Sequence, residues 1–356
     1  MGSLRRPFSN TATDPVIDSR ASMRCDVLVI GAGCAGTQAA RAAAAGGARV
    51  LLVDRLDAAE LDKNKQQAPA QALAMQGRGR LLRRLAEHTA LELLLDREGA
   101  VRGAAGVGGT AETPWRIEAA AVIIASSEAL LMAAEAGAQL SGMEHGGGLR
   151  AGVEGASTVD GLYAAGGAAW QPMPAGIGLP QGTVAHALLS GQQAGAGAAA
   201  AATRAQQSRA TRALCCAGLV GLRGSGHRPA NPLAIHAALQ AVLGTLAHRE
   251  PSAAEAAEAL SRLDALWQFL CRSAAAPQGA LCATRAVAGR LAVARWRLRS
   301  VLARRASEAA HQASECVISG GVDEAWARAE MHPELKPRPA LHLLQTPAAR
   351  LSAFAL

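Results

Sequence analysis

Aromatic side chains are nearly missing from this chain of 356 residues: five Trp, three Phe and one Tyr, 3% in all. With so few stacking surfaces and no nucleic-acid motif, the formal charge of +8 does not indicate a nucleic-acid partner. Lysine is just as scarce, confined to Lys63, Lys65 and Lys336, so the basic residues are almost all Arg. High Ala, Gly and Arg with little Lys, Phe, Tyr and Asn fits a GC-rich coding bias, and much of the basicity is discounted on that ground. Long apolar runs are missing too. No uninterrupted stretch reaches the ~18 residues of a membrane span, and the run Ala196 to Ala202 is too short and too small-sided. Cys25, Cys34, Cys215, Cys216, Cys271, Cys282 and Cys316 contain no C-x-x-C and no metal-ligand spacing. That argues against an iron–sulfur cluster, a c-type haem or any other metal site. It suits reduced thiols in a cytoplasmic protein. The first 22 residues lack an apolar core, which argues against a secretory signal, and Asp14 and Asp18 argue against a transit peptide. Residues 1–23 are expected to form a disordered tail.

What is present begins at Cys25. Cys25 to Ile30 is a short apolar run ending at Gly31, the signature of a buried parallel strand. Residues 34–47 are Ala-rich and close on Gly46-Gly47, which predicts a helix with a glycine C-cap. Arg49 to Val53 is a second strand, ending at Asp54. Residues 56–80 read as loop or short helices, and 81–89 as a helix. Leu91 to Leu95, Val101 to Val107 and Trp115 to Ile117 alternate like an antiparallel meander. Ala119 to Ala125 and Gly161 to Ala165 are further strands, and Gly182 to Ala202 is a helix of small residues. From residue 204 the pattern turns helical, with Leu260, Leu263, Leu266, Trp267 and Leu270 on one stripe. The expected plan is a nucleotide domain over 24–203, a helical domain over 204–330 and an extended tail over 331–356.

Gly31-Ala32-Gly33-Cys34-Ala35-Gly36 is G-x-G-x-x-G. The motif alone is weak. Here it follows a strand, opens a helix, and is followed by a second strand ending in an acid, which makes it specific. Gly31 permits the tight turn, Gly33 lets a pyrophosphate reach the backbone, and Gly36 lets helix and strand pack closely. The helix N-terminus offers free N–H groups to phosphate. Asp54 is placed to accept hydrogen bonds from an adenosine ribose, with Arg55 beside it. A glycine-rich turn with no ligand is the bland alternative. The motif by itself does not choose between FAD and NAD.

The chain resembles the flavoprotein subunits of succinate dehydrogenase and fumarate reductase, a family that includes L-aspartate oxidase and adenylylsulfate reductase. Four segments carry the likeness, in the family's order. Asp26 to Arg55 is similar to the opening FAD unit. Gly99 to Ala125 is similar to "G-x-V-x-G … A-x-x-V-I-x-A-T-G". Ala136 to Leu140 with Met143-Glu144 is close to "A-G-A-E-L-x-x-M-E". Ser157 to Gly166 is similar to "T-x-V-x-G-L-Y-A-A-G-E" and is the most specific. Residues Arg304 to His311 faintly resemble the helix "R-x-E-S-R-G-A-H". Together the four segments span about half the chain. The resemblance implies an α/β fold: a Rossmann-like FAD-binding domain with a C-terminal helical domain. It places FAD against Gly31, Ala32, Gly33, Cys34, Ala35, Gly36, Asp54, Arg55, Ala125, Ser126, Gly166, Gly167, Gly182 and Thr183. It implies an iron–sulfur or membrane-associated electron-transfer subunit as partner, and hence a place at the inner face of a membrane.

Three departures follow from the same comparison. Residues 56–80 hold no His, so covalent attachment of flavin there is not expected and FAD would be non-covalent. Met143-Glu144-His145 runs almost directly into Gly146-Gly147-Gly148, where the family inserts a capping domain that supplies a catalytic Arg. A gapless alignment from Gly166 to Gly195 puts Gly167 at the family's Glu, Pro174 at its His and Gly178 at its Arg. Proline and glycine side chains neither donate hydrogen bonds nor carry charge, so dicarboxylate chemistry is expected to be lost.

Other candidates are weaker. His145 and His186 read as partly exposed structural histidines, with a catalytic base as the alternative. Cys34 reads as a packing residue at a variable motif position, although a thiol at a helix start can acidify. Cys215-Cys216 reads as two thiols, a strained disulfide being the alternative. Arg295, Arg297, Arg299, Arg304 and Arg305 read as a solvated helix face, with a dock for an acidic partner or an anionic lipid surface as the sharper alternative. Three functions stay open: an FAD-dependent oxidoreductase of the resembled class, a non-catalytic FAD-binding subunit, and an NAD-dependent dehydrogenase.

Overall fold

The structure is a computed structural model. It describes residues 23–55, 81–142, 147–170, 183–205, 215–217, 226–246, 251–274, 276–277 and 279–318. The two tails, the segment 56–80, Met143 to His145, Pro174, Gly178 and Gly182 lie outside these residues.

β1 (Met23–Ile30) lies between two parallel neighbours, β2 (Val50–Val53) and β6 (Thr113–Ile124). Its last six residues are buried, which is why the run carries no polar alternation. The exception is Asp26, whose carboxylate accepts the Arg49 amide at 2.8 Å and pairs with the Arg49 guanidinium. α1 (Cys34–Ala45) joins β1 to β2 and ends where Gly47, at φ +80, turns the chain.

The segment 81–89, expected as a helix, is instead β3 (Leu82–Leu85), the turn at Glu87 with φ +56, and the start of β4 (His88–Leu95). Its Leu, Arg and Ala favour a helix locally, but β2 offers a parallel edge that pairs Val50 to Val53 with Leu82 to Leu85. Tertiary pairing overrides propensity.

The expected meander is formed by β4, β5 (Val101–Gly108) and the first half of β6. The sequence reading split β6 into a meander strand and a buried strand; they are one continuous strand of 12 residues. Its second half is flanked by β1 and by the parallel β9 (Leu162–Ala164). After β6 come a 3₁₀ turn at Ser127–Ala129 and the short helix α2 (Leu130–Glu135). A small second sheet holds β7 (Leu140–Ser141), β8 (Gly148–Arg150) and β10 (Ala169–Trp170). α3 (Val184–Ala205) then packs against α1 so closely that a Cβ at Gly191 would lie 2.3 Å from the Ala35 carbonyl oxygen. The chain returns to the main sheet as β11 (Cys215–Ala217), antiparallel to β4. These strands and helices form a mixed α/β layer structure, as the sequence led one to expect.

Three helices follow: α4 (Pro232–Gly244), α5 (Ala253–Arg272) and the 38-residue α6 (Leu281–Ile318). Leu263 and Leu270 are buried between them, and Leu260, Leu266 and Trp267 pack at the edge, as their stripe predicted. α5 opens with a reciprocal Ser252–Glu255 capping box. The Arg-rich face of α6 is mostly solvated, as expected, with ion pairs made within the chain and only Arg295 largely covered. Arg295 and Arg299 both reach Asp264 of α5, Arg295 lies 4.6 Å over the Trp267 ring, and Arg304 pairs with Glu308. Arg297 is exposed. Among the described residues, no helix is long and apolar enough to cross a membrane.

Candidate functional site

The glycine turn is built as its spacing demands. Gly31 sits at φ +103, a conformation unfavourable for any side chain, and a Cβ there would press on Ser126 at 3.1 Å. A Cβ at Gly36 would fall 1.8 Å from the Gly31 carbonyl oxygen and 3.0 Å from the Ala125 side chain. Gly33 is the opposite case. It is exposed, and a Cβ there would meet nothing within 4 Å. The protein thus crowds the first and third glycines and leaves open space at the second, before the first turn of α1. Backbone amides and the positive end of the helix dipole face that space, a setting suited to phosphate.

The ends of β1, β2 and β6 open into a cleft of about 330 Å³. Gly31, Asp54, Arg55 and Ser126 line it together, although they are far apart in sequence. Asp54 is half-closed off by a partner that the sequence did not reveal. Arg84 of β3 meets its carboxylate at 3.1 Å, and each side chain is 13% exposed. Burial pushes the Asp54 carboxyl above the ordinary aspartate range. The Arg84 charge and hydrogen bonds from the Ala32 and Arg55 amides pull the other way. The acid therefore braces the glycine turn through Ala32 and stays on the cleft wall. Ser126 caps the turn after β6, accepting the Glu128 amide at 3.3 Å.

His88, Thr89, Cys282 and Arg285 complete the cleft. Arg285 comes from α6, donates to the Leu91 carbonyl at 3.0 Å and forms a forked pair with Glu135 of α2. Nothing local in the sequence marks these residues. His88 lies in the segment misread as helix, and Arg285 reaches the cleft only because α6 docks on the meander. That docking is fixed by Glu112 in the β5–β6 turn. Its carboxylate accepts the amides of Gly279 at 2.6 Å, Leu281 at 3.1 Å and Cys282 at 2.9 Å, capping α6. Burial opposes the charge of Glu112, but the three amides outweigh it and hold its carboxyl below the ordinary glutamate range.

Of the remaining predicted residues, Gly166 lies against α1 and Thr183 at the start of α3. Gly166, at φ +61, comes within contact of Ala35, such that a Cβ would lie 2.5 Å from the Ala35 Cβ. The Gly166 amide donates to Ser190 Oγ of α3 at 2.9 Å. Gly167 is exposed with open space where a side chain would stand. Thr183 caps α3, its Oγ1 accepting the His186 amide at 3.2 Å and its carbonyl accepting the Ala187 amide at 3.0 Å. Val184, the first residue of α3, is apolar yet 51% exposed. Cys34 is a half-buried thiol outside any disulfide at the start of α1, and Cys25 is a buried thiol whose pKa burial raises to about 12. His186 departs from expectation: it is 1% exposed, not partly exposed. Among the described residues, no three His, Cys, Asp or Glu side chains cluster as a metal site.

Residues 18–144, little over a third of the chain, match the family "Alanine dehydrogenase/PNT, C-terminal domain". None of the curated proteins matches. Solved structures do. The FrdA chain of Escherichia coli quinol fumarate reductase is 13% identical, with a TM-score of 0.62, over 80% of this chain and 90% of that one. Sdh1 of Mycobacterium smegmatis is 15% identical, with a TM-score of 0.58, over 79% and 87%. Adenylylsulfate reductase of Archaeoglobus fulgidus is 13% identical, with a TM-score of 0.56, over 79% and 89%. At these identities the likeness is one of fold: the chain has the fold of the fumarate reductase and adenylylsulfate reductase flavoproteins.

Proposed function

We propose that this chain binds FAD non-covalently and serves as an FAD-dependent oxidoreductase whose substrate is not a dicarboxylate. The observation that carries this reading is the pair of open helix N-termini beside α1 and α3. At the first, Gly33 leaves a cradle for a pyrophosphate, next to the Asp54 cleft that suits an adenosine. At the second, Val184 is exposed and apolar, and the Val184 and Ala185 amides precede the His186 amide that Thr183 caps, so an apolar contact and donors would meet there. Gly166 ties the two together through Ala35 and Ser190. An extended dinucleotide with a flat apolar ring at its far end fits that arrangement. A nicotinamide dinucleotide reading would account for the first cradle and leave the second without a role.

When bound, the flavin supplies hydride or single-electron transfer. The residues here bind and orient it. The α1 turn would hold the pyrophosphate, Asp54 would accept from the ribose, and the α3 amides would stabilise negative charge at the ring edge. The chain lacks side chains able to clamp a dicarboxylate at Pro174 and Gly178.

A second reading, a non-catalytic FAD-binding subunit, is favoured by one observation. β7 and β8 pair Leu140 with Leu149 and Ser141 with Gly148, so only residues 142–147 join them. That is the place where the resembled family carries its capping domain. The Trp170 ring closes the start of this hairpin, since a Cβ at Gly142 would lie 2.4 Å from it. With no cap to exclude water, an electron-transfer partner, iron–sulfur or membrane-associated, would complete the site in a cytoplasmic complex at a membrane's inner face.

The test is the visible absorbance spectrum of the purified chain, with mass identification of any cofactor released on denaturation. FAD in the supernatant is expected. A released nicotinamide nucleotide, or failure of the stripped protein to take up FAD, sinks the reading. Turnover of FAD by a small-molecule donor without any partner would reject the second reading.

A further inference from the structure

His88 opens β4 just after the Glu87 turn, and its ring is fixed on the wall of the cleft. Its backbone amide donates to the Asp54 carbonyl oxygen at 2.9 Å, which sets it beside the acid that ends β2. Its Nδ1 lies 2.5 Å from the Ala86 carbonyl oxygen. A carbonyl only accepts, so Nδ1 carries the hydrogen, and Nε2 of the neutral ring is an acceptor. A Cβ at Gly108 would lie 2.8, 2.9 and 3.1 Å from Nε2, Cδ2 and Cε1. Those near-equal distances put Gly108 over one face of the ring and off the line of the Nε2 lone pair. Among the described residues nothing hydrogen-bonds to Nε2, and unlike the ring nitrogens of His186 that atom is not sealed from solvent.

The charged side chains around the cleft are engaged within the chain. Asp54 pairs with Arg84, Glu128 with Arg290 and Arg285 with Glu135. Ile30, Val53, Ala90 and Met132 add apolar surface to the same walls. The cleft therefore combines apolar contact with one acceptor whose direction the Ala86 carbonyl and Gly108 fix, a setting suited to a flat base with a donor on its edge.

We propose that His88 makes the cleft selective for adenine, its Nε2 accepting a hydrogen bond from the 6-amino group of the base. This rests on the FAD reading and deepens it, by naming the side chain that reads the base. With the ribose at Asp54, the base is the next group outward, and His88 is the residue bonded to the Asp54 carbonyl. Adenine presents a donor at C6, where a 6-oxopurine presents an acceptor. Against Nε2 the oxo group would set two lone pairs face to face, and a site built to bond a donor rejects the analogue that lacks it.

The test compares ADP with IDP, which carry an amino and an oxo group at C6 and no flavin. The full chain, stripped of flavin, is titrated with each by calorimetry at pH 8, as wild type, His88→Phe and His88→Gln. The wild type is expected to prefer ADP about tenfold. Phe keeps a flat ring over Gly108 without an acceptor, and is expected to bind the two about equally. Gln, which retains an acceptor, is expected to keep part of the preference. A ratio of affinities compares two ligands on one protein, so a general loss of stability does not move it. In the wild type, the ¹⁵N signal of His88 Nε2 should shift with ADP and not with IDP, a readout that needs no variant to fold. Equal wild-type affinities, no binding of either nucleotide, an undiminished preference in His88→Phe, or an Nε2 signal that answers both nucleotides equally overturns the proposal. FAD uptake by the same preparation would leave the FAD reading standing in each of those cases. Selective ADP binding without FAD uptake would remove the FAD reading and keep the base selection by His88.

Discussion

The Asp54 carboxylate at the end of β2 meets the Arg84 guanidinium of the neighbouring edge strand at 3.1 Å, with both side chains largely buried. The acid that faces the cleft is thus held in place by a strand that has no glycine motif and no acidic signature of its own. Removing Arg84 leaves Asp54 buried without its cation. Arg84→Ala is expected to destabilise the chain by about 3 kcal/mol and to raise the Asp54 carboxyl further. Arg84→Ala combined with Asp54→Asn is expected to regain part of the loss. Urea melts of the three proteins decide it; additive losses in the double variant would rule out the coupling.

The glycines of the turn should separate binding from folding. Gly33 has an ordinary extended φ of −65° and open space at its Cβ position. Gly33→Val is expected to lower stability by only about 1 kcal/mol, the cost of a poor N-cap residue, while abolishing FAD uptake. Gly36→Ala instead drives a Cβ into the Gly31 carbonyl, and is expected to lower the melting temperature before any ligand is considered. Equal melting temperatures for Gly36→Ala and wild type would contradict the packing described.

Glu112 makes stability depend on acid. Its folded pKa is lowered, so its contribution is complete above its unfolded value, about 4.3, and is lost as pH falls through the folded value. Glu112→Gln is expected to cost about 1–2 kcal/mol at neutral pH, through loss of a charged helix cap, and to flatten the stability profile on the acid side. Chemical denaturation across that range is the measurement. A variant with the wild-type acid slope would show that the α6 cap is not the source.

Dicarboxylate turnover is expected to be absent. The flavin-loaded chain, supplied with succinate and an artificial acceptor or with fumarate and a reduced dye, should give no rate above free flavin. Enzyme-like rates in either direction would show that other groups replace the side chains missing at Pro174 and Gly178.

Much of the site was legible because it is local. The strand from Cys25 to Ile30 and the turn from Gly31 to Gly36 are contiguous, the acid at Asp54 follows one helix and one strand later, and each residue type answers a need that the spacing displays. The helix 81–89 was misread because Leu82 to Leu85 pair with Val50 to Val53, a partner that lies outside any local window. Arg84 was missed with it. His186 was misjudged because burial depends on what packs over a residue and not on its neighbours in sequence.

By itself, then, the sequence determined the α/β plan, the glycine turn, the meander and the stripe of α5, since these depend on period, propensity and spacing. Tertiary structure decided which distant side chains share the cleft. Arg84 reaches Asp54 through edge pairing, Arg285 through the docking of α6, and that docking through the Glu112 carboxylate, which finds the Cys282 amide 170 residues away. Those contacts depend on how elements pack in space, and no local pattern encodes them. The opening motif is the contrary case: its spacing already assigned Gly31 to the turn, Gly33 to an open approach and Gly36 to close packing, and the structure supplies the atoms that crowd the first and third.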